Sequence, residues 1–531
     1  MPRPHCHDGS ALAARERKDL PAVIMAPTLK DIAALIDATV HHITDDAAAQ
    51  LSLSTIALDS RKVESGGIFA ALPGTKIHGA HFAGDTPCAA ILTDAQGVAL
   101  LAEQQDDRPI LEVPDVRAVL GIIAARIYDD PSADLTVIGI TGTSGKTTTS
   151  YLLEAGLMAA GKKVGLIGTT GTRINGEAVP TQLTTPEAPT LQALLKRMAA
   201  EGVTHVVMEV SSHALALGRV QGVQFDVAGF TNLSQDHLDF HPTMVEYFET
   251  KALFFKPDSP LHARCSVICI DDQWGKDMLK LAGPAARSLS LDQDQADYRV
   301  TGITSEATGG QHFDFHGNGH ELAVDMPLPG RFNIANAALA LALADVVGIS
   351  LADVATGISH VGVPGRMERV DVGQEFLAVV DYAHKPAAVA AVLDTVRAQV
   401  PGRIGVVIGA GGDRDRSKRA VMGVKAAERA DLVIITDDNP RSEDPAVIRA
   451  AVLAGAREAA TDTAAVDIRE IGDRRNAIIA AVEWAQPGDG IVIAGKGHEV
   501  GQLIAGVNHH FDDREELRAA LVARFAQKGQ L

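Results

Sequence analysis

Cysteine is scarce in this chain. Its 531 residues include 4 cysteines, Cys6, Cys88, Cys265 and Cys269, and no two of them form a close Cys-x-x-Cys pair. Closely spaced thiols are the mark of a zinc or redox site. Cys265 and Cys269 instead flank the apolar run Ser266-Val267-Ile268, which points to core packing. Sparse, unpaired thiols suit a reducing cytoplasm. Long hydrophobic runs are missing as well: none is long enough to cross a bilayer. The segment Met1 to Ala26 carries Arg3, Arg15, Arg17 and Lys18 but no apolar core of secretory type. It reads as a disordered tail, and the chain reads as soluble. Positive charge is in deficit, with 48 Lys and Arg against 67 Asp and Glu, a formal net charge of −19. Such a chain repels nucleic acid and anionic lipid, so neither is expected as a partner. An anionic substrate must then be held by local basic groups and backbone N–H donors. Internal repeats and low-complexity tracts are absent.

What is present is enough apolar residue, 46%, to build several cores. At roughly 100–200 residues per domain, about three domains are expected. The first, residues 27–133, reads as a small α/β unit. Thr28 with Asp31 looks like a helix N-cap, and Gly67–Leu72 is strand-like before the Pro73-Gly74 turn. The second, 134–363, opens on the apolar run Leu135–Ile140, followed by a glycine-rich loop and a helical pattern ending at Gly161. Further strands are expected at Val164–Gly168, Thr204–Val210, Val227–Phe230 and Ser266–Ile270. The third, 364–531, repeats the alternation, with strands at Ile404–Ile408, Asp431–Ile435 and Gly490–Ala494. Apolar strands alternating with helices predict an α/β protein with mostly parallel sheets covered on both faces. Polar clusters directly follow most of these strands. Parallel sheets bind ligands at the carboxyl ends of their strands, so the reaction is expected in a cleft between two such edges.

The loop Thr141-Gly142-Thr143-Ser144-Gly145-Lys146-Thr147-Thr148 is the strongest motif. Its N–H groups and the following helix start can wrap phosphate oxygens. Lys146 can reach the β/γ-phosphates and Thr147 can ligate magnesium. The spacing departs from GxxxxGK[ST], since position 140 is Ile. Glu209 ends a buried strand, where a carboxylate is costly unless paired or metal-bound; beside a phosphate loop it is assigned to magnesium. His237 and His241 have a spacing that could suit zinc on a helix, but no HExxH glutamate lies between them and the neighbouring carboxylates suit magnesium equally well. His237 is therefore read as a magnesium-shell residue and His241 as structural. Lys251 on its own reads as a snorkelling surface lysine. In the third region Asp437–Arg441 places Arg441, a planar fork suited to a carboxylate, after a strand. Arg414 supplies a second guanidinium, and Gly495–Glu499 ends in a carboxylate. Together they form a plausible amino-acid pocket.

These segments resemble the Mur ligase family, and within it the members that add the third residue of the peptidoglycan stem to a UDP-N-acetylmuramoyl dipeptide. The resemblance covers nearly everything after the tail. It is carried by TGTSGKTT at 141–148, LTTPE at 183–187, MEVSSHAL at 208–215, FTNLSQDHLDFH at 230–241, YFETKALFF at 247–255, PGRFNIANAALA at 329–340, PGRMERV at 364–370, DYAHKP at 381–386, GAGGDRD at 409–415, DDNPR at 437–441 and GKGHE at 495–499. The shifted loop spacing is the form that family uses. The resemblance implies three domains: a small UDP-binding unit, a central ATPase and a C-terminal Rossmann-like unit. It implies an ATP-dependent, ADP-forming amide ligase working through an acyl phosphate, with ATP and two magnesium ions. It changes the reading of Lys251, whose family counterpart is carbamylated (N6-carboxylysine, from CO2) and ligates the second ion. Leu58, Ser60, Thr75, Lys76 and Ile77 match uridine contacts. Thr184, Thr185, Ser211 and Arg219 match contacts to the muramoyl dipeptide. Asn333, Arg366, Asp381 and His384 are expected to hold adenine, ribose or phosphate. Arg414, Asp438, Asn439, Pro440, Arg441, Gly495 and Glu499 are expected to bind the incoming amino acid. The DNPR segment resembles that of members adding meso-diaminopimelate, whose second carboxylate needs a cation; two arginines would repel a lysine ammonium. A monomer is expected.

Two rivals make different predictions. A sister ligase, of folylpolyglutamate or muramoyl-pentapeptide type, would share the ATPase but take another substrate. A non-catalytic nucleotide switch would bind ATP without substrate-dependent phosphate release.

Overall fold

The computed structural model describes residues 26–74, 76–181, 183–306, 309–460 and 466–527. Apart from Ala26, the expected tail lies outside them, as does Thr75. The described part builds three sheets with helices against them and a small two-stranded hairpin.

The N-terminal sheet has five strands in the order Thr39–His41, Ile110–Glu112, Ala90–Thr93, Ile68–Ala70, Ile56–Ala57. The Thr28 cap is a full capping box: the Thr28 hydroxyl accepts from the Asp31 N–H and the Asp31 carboxylate accepts from the Thr28 N–H at 2.9 Å. Two orphan donors are satisfied at once, which fixes where the helix Leu29–Ile36 begins.

The central sheet has eleven strands. Its heart is parallel: Cys265–Cys269, Val227–Phe230, Thr136–Thr141, His205–Glu209 and Val164–Gly168 lie side by side in that order. These strands are buried on both faces, which is why they read as continuous apolar runs. The sheet departs from the parallel expectation at its two margins. Gln311–Gly317 and His320–Met326 add as antiparallel strands on one side, Gly171–Ile174 and Glu177–Val179 on the other. Alternate residues of Gln311–Gly317 are buried, as expected for a strand covered on one face. Cys265 and Cys269 are buried in the core, as expected from their apolar neighbours.

The C-terminal sheet runs Glu368–Arg369, Leu377–Asp381, Gly490–Ala494, Ile404–Ile408, Leu432–Ile435, Asp467–Glu470, parallel except at the first pair. The strand ends of the central and C-terminal sheets face a common cavity of about 710 Å³. None of the helices among the described residues is long and apolar enough to cross a membrane.

Candidate functional site

The cavity floor is the phosphate loop. Thr136–Thr141 is the middle strand of the parallel array, so the chain leaves the sheet at its centre and turns at once into the helix Lys146–Ala159. The neighbouring strand end braces that turn. The Asn232 carbonyl accepts from the Thr143 N–H at 2.9 Å, the Asn232 side chain accepts from the Ser144 N–H at 3.1 Å, and the Thr231 hydroxyl donates to the Ser144 carbonyl at 2.7 Å. The first N–H groups of the helix have no intrahelical acceptor, and the helix dipole adds to their pull on an anion.

The close bracing explains the glycine at 142. Its φ is +145°, and a Cβ there would stand 1.9 Å from the Thr231 hydroxyl oxygen and 3.0 Å from the Asn232 carbonyl oxygen. Gly142→Ala is therefore expected to store about 1–3 kcal/mol of strain and to weaken nucleotide binding. Calorimetric titration with a non-hydrolysable ATP analogue, alongside a melting curve, reads both. An alanine variant with unchanged affinity and melting would show that the loop shape does not matter.

Around this floor the structure gathers residues from distant parts of the chain. Thr143, Ser144, Gly145, Lys146, Thr147 and Thr148 line the cavity, with Glu209 and His237 beside them. The Thr147 hydroxyl donates to Glu209 at 3.0 Å, and the Thr169 N–H and hydroxyl hold the same carboxylate at 2.8 and 3.0 Å. The carboxylate is buried yet fully engaged, and its oxygens sit beside the first turn of the phosphate-loop helix. The His237 imidazole is pushed down to about 2 by burial, against the pull of Asp236 3.1 Å away, so it is neutral. Asp236 itself lies below the usual carboxylate range. Burial would raise it, but the Lys385 ammonium at 2.7 Å, with His237 and His384 nearby, overrides that.

Lys251 does not lie on the surface. It is 1% exposed beneath the loop, where its ammonium donates to the Gly142 carbonyl at 3.1 Å and the Thr141 hydroxyl at 3.3 Å. Burial, reinforced by Lys146 and Lys385, holds its pKa well below the usual lysine value. The helix Met244–Ala252 turns this residue inward, and spacing alone did not show which face of that helix is covered. Lys146 is likewise pushed down to about 8, by burial first and Lys385 second.

The residues expected at the muramoyl dipeptide, Thr184, Thr185, Ser211 and Arg219, all line the cavity. Thr185 donates to the Glu209 carbonyl at 2.8 Å, and Glu187 anchors Arg219 at 2.8 Å. Asn333, Arg366, Asp381 and His384 line the opposite wall. Arg366 reaches across to the Thr147 hydroxyl at 3.3 Å and stacks on Tyr382. Asp381 accepts from the Met367 and Ala383 N–H groups at 2.7 and 2.8 Å, so its carboxylate shapes the loop that carries Arg366. His384 is pushed down to about 3 by burial and then by Lys385.

The amino-acid residues divide. Arg414 lines the cavity, whereas Asp438, Asn439, Pro440, Arg441, Gly495 and Glu499 lie off its lining, at the carboxyl ends of the C-terminal strands. They form a connected group. Asn439 donates to Glu499 at 2.9 Å and accepts from Lys496 at 3.1 Å. Arg441 adopts a left-handed backbone, φ 53°, and its main chain pairs with Leu503 and Ala505 of the hairpin Gln502–His509, while its guanidinium donates to the Gly412 carbonyl at 2.6 Å. Leu58, Ser60, Lys76 and Ile77 lie in the N-terminal unit and do not line the cavity.

Sequence reasoning passed over Thr169, Asn336 and Lys385, and touched Asp236 only as one of the carboxylates beside His237. Thr169 directly follows the strand Val164–Gly168 and Lys385 lies in the turn after Leu377–Asp381, so the rule that polar clusters cap parallel strands would have found them. Asn336 had no such signal: it is an inward residue of the long apolar helix Arg331–Val346, and its side-chain oxygen lies where a Cβ on Gly145 would fall.

A phosphate loop at the centre of one parallel sheet, closed by the strand ends of a second, defines an enzyme that handles a nucleotide between two domains. Sequence profiles of the Mur ligase family, catalytic domain, the Mur ligase middle domain and the Mur ligase, glutamate ligase domain match residues 52–128, 140–344 and 365–497. The UDP-N-acetylmuramoyl-L-alanyl-D-glutamate–2,6-diaminopimelate ligase of Corynebacterium glutamicum is 62% identical over 91% of this chain and 94% of its own length. The enzyme of the same name from Streptomyces coelicolor is 46% identical over 90% and 93%. A solved structure of a ligase of that name shares 36% identity and a TM-score of 0.66, over 94% of this chain and 99% of its own. The chain belongs to the Mur ligase family.

Proposed function

We propose that this chain joins meso-diaminopimelate to UDP-N-acetylmuramoyl-L-alanyl-D-glutamate at the expense of ATP, forming ADP, in peptidoglycan precursor synthesis. The observation that carries the reading is the single cavity shared by Lys146, the Thr147–Glu209 pair, the Thr184–Ser211–Arg219 wall and Arg414. In this reading the D-glutamyl carboxylate lies along Thr185, Ser211 and Arg219 and attacks the γ-phosphate. Lys146 and the loop N–H groups neutralise charge on the transferring group. The resulting acyl phosphate is then attacked by the amine of diaminopimelate, and phosphate leaves as the amide forms. The reading takes the enzyme to be a cytoplasmic monomer without a nucleic-acid partner, which sparse unpaired thiols and a net charge of −19 support.

The donor set fits magnesium. Thr147 and Glu209 offer hard oxygens, and His237 offers a neutral imidazole. Among the described residues no cluster of three or more His, Cys, Asp and Glu is arranged as a metal cage, so phosphate oxygens and a further group must complete the shell. Lys251 fits that further group. Only a neutral amine adds to CO2, and the burial of Lys251 favours its neutral form. The bound metal would supply charge neutralisation of the transferring phosphoryl group.

The amino-acid half rests on Arg414 and Arg441. The assay supplies ATP, the UDP-muramoyl dipeptide and either meso-diaminopimelate or lysine, and weighs the product. A lost charge-assisted contact is worth roughly 1.5–3 kcal/mol, so lysine is expected to be used about 10- to 150-fold less efficiently. Equal use of both amino acids would overturn the assignment of Arg441. Phosphate release without a coupled product would favour a nucleotide switch.

A further inference from the structure

The strand Gly490–Ala494 of the C-terminal sheet runs out into Gly495-Lys496-Gly497-His498-Glu499. Gly495 and Gly497 both take positive φ, 123° and 56°, a backbone that residues with a Cβ rarely adopt. A Cβ on Gly495 would stand 2.6 Å from Asp438 Oδ2, and one on Gly497 would stand 2.8 Å from the Gly365 carbonyl oxygen. This tight path carries the Lys496 side chain inward, where the residue is 0% exposed. The Lys496 carbonyl accepts from the Glu499 N–H at 3.0 Å, so lysine and glutamate are folded against each other. A lysine is almost never buried completely unless a polar partner claims it.

What claims it is the group expected to take the incoming amino acid. The Lys496 ammonium donates to Asn439 Oδ1 at 3.1 Å and lies 3.6 Å from Glu499 Oε2. Asn439 Oδ1 also accepts from the Leu503 N–H at 2.9 Å. Two donors pin that oxygen, so the Asn439 amide must turn its N–H to Glu499 Oε2, 2.9 Å away. Glu499 Oε2 is thus held by Asn439 and Lys496. Among the described residues, Oε1 meets the Tyr382 hydroxyl alone, at the long distance of 3.4 Å. The Glu499 side chain is 34% exposed, so Lys496 faces it from the core and a ligand can reach it from outside.

The charges point the same way. Burial and the Asp438 carboxylate push the Glu499 carboxyl up, and Lys496 pulls against them. Lys496 is also the first charge that offsets burial at Asp438; Arg474 follows, with its guanidinium committed to Asp513. One ammonium between two carboxylates leaves negative charge over, which a ligand ammonium would balance. Chemistry decides which ammonium. The amine that attacks an acyl phosphate must be unprotonated, and Glu499 lies off the lining of the cavity that holds the phosphate loop. A carboxylate there suits the charged amine at the far end of diaminopimelate, the one that does not react.

We infer that Lys496 is a positioning residue that sets Glu499 and Asn439 for the non-reacting ammonium of the incoming amino acid, and so determines specificity. The inference rests on the ligase reading proposed above.

The test uses the full chain with ATP, the UDP-muramoyl dipeptide and either meso-diaminopimelate or 2-aminopimelate, which has both carboxylates but lacks the second amine. The wild type is expected to prefer diaminopimelate. Lys496→Met keeps the stem and removes the charge. It is expected to raise the KM for diaminopimelate about 10- to 100-fold, the scale of a charge-assisted hydrogen bond. Most of the preference over 2-aminopimelate should go with it, while the KM for ATP changes far less. Glu499→Gln is expected to act likewise, and the double variant to be little worse than either single one, because both changes remove one shared interaction. Lys496→Arg should recover part of the preference. Should the methionine variant not fold, Lys496→Gln carries the same measurements. A Lys496 variant that keeps the wild-type preference would overturn the inference. So would equal loss of both amino acids with a lowered melting midpoint, since that is a structural role alone, or Lys496 and Glu499 effects that simply add. Equal use of both amino acids by the wild type would overturn it too, because no second ammonium then meets Glu499. A wild type that makes no product with diaminopimelate would instead sink the ligase reading itself.

Discussion

Lys251→Ala is expected to lower kcat by roughly 10³-fold, the scale seen when a preorganised electrostatic group at a reacting phosphoryl or acyl centre is removed. The argument begins with burial. A lysine 1% exposed, hydrogen-bonded to one carbonyl and one hydroxyl, has no carboxylate in ion-pair contact among the described residues and feels Asp236 only weakly beside the effect of burial. A fully buried ammonium of that kind is costly, and the structure answers by holding the group toward its neutral form. Such a residue has a purpose that an apolar side chain would not serve. A carbamate on Lys251 would turn a buried neutral amine into an anion beside the cations Lys146 and Lys385 and the proposed metal, where an anion is welcome. Three measurements separate the readings. Intact mass under CO2 should show the adduct on the wild type and not on the variant. Activity of the alanine variant should return in part with a short carboxylic acid such as acetate. Melting should change little if the role is chemical. Absence of both rescue and adduct would leave Lys251 as a structural donor to the loop.

The second large effect concerns stability. Arg474 and Asp513 form an ion pair at 2.7 Å with both side chains fully buried, between the helices Arg474–Trp484 and Asp513–Gln527. Arg474→Met leaves the Asp513 carboxylate buried and alone. Breaking one side of such a pair costs about 3–5 kcal/mol. For a unit of this size that lowers the melting midpoint by roughly 6–20 °C. The double change Arg474→Met with Asp513→Leu removes both charges and should recover most of the loss, because a buried pair is often no better than apolar packing. A single variant melting with the wild type would refute the prediction. The pair also supports the proposed amino-acid pocket. Arg474 donates to the Ala494 carbonyl at 2.9 Å, immediately before Gly495. Burial would raise the Asp438 carboxyl, but Lys496 and Arg474 hold it below its usual value. Arg474→Met should therefore weaken diaminopimelate use even below the melting transition.

Much of the architecture could be read from the chain alone, for reasons particular to its elements. The runs Val137–Ile140, Val227–Phe230 and Gly490–Ala494 are apolar throughout because they are buried on both faces, and that pattern belongs to parallel sheets. The antiparallel margins were harder. Gln311–Gly317 has one face in the core and one outside, so its polar residues hide it among loops. The phosphate loop was legible because its chemistry is local: eight consecutive residues supply the turn, the amides, the lysine and the Thr147 hydroxyl. Glu209 was legible because a carboxylate ending an apolar strand is conspicuous.

Lys251, Lys385 and Asp236 show the opposite case. A lysine looks the same in sequence whether its ammonium faces water or the underside of a loop, since the covering atoms come from residues more than a hundred positions away. Family resemblance could single out Lys251, but only the packing of the helix Met244–Ala252 under Thr141 and Gly142 buried it. Lys385 and Asp236 lie 149 residues apart and are paired across two domains. By itself the sequence determined the elements, the phosphate loop and the ends of the strands at which a ligand must lie, because each follows from neighbours along the chain. Only the tertiary structure decided that Lys146, Lys251 and Lys385 meet at that loop, the third supplied by the C-terminal unit, because side chains meet through space and not along the backbone.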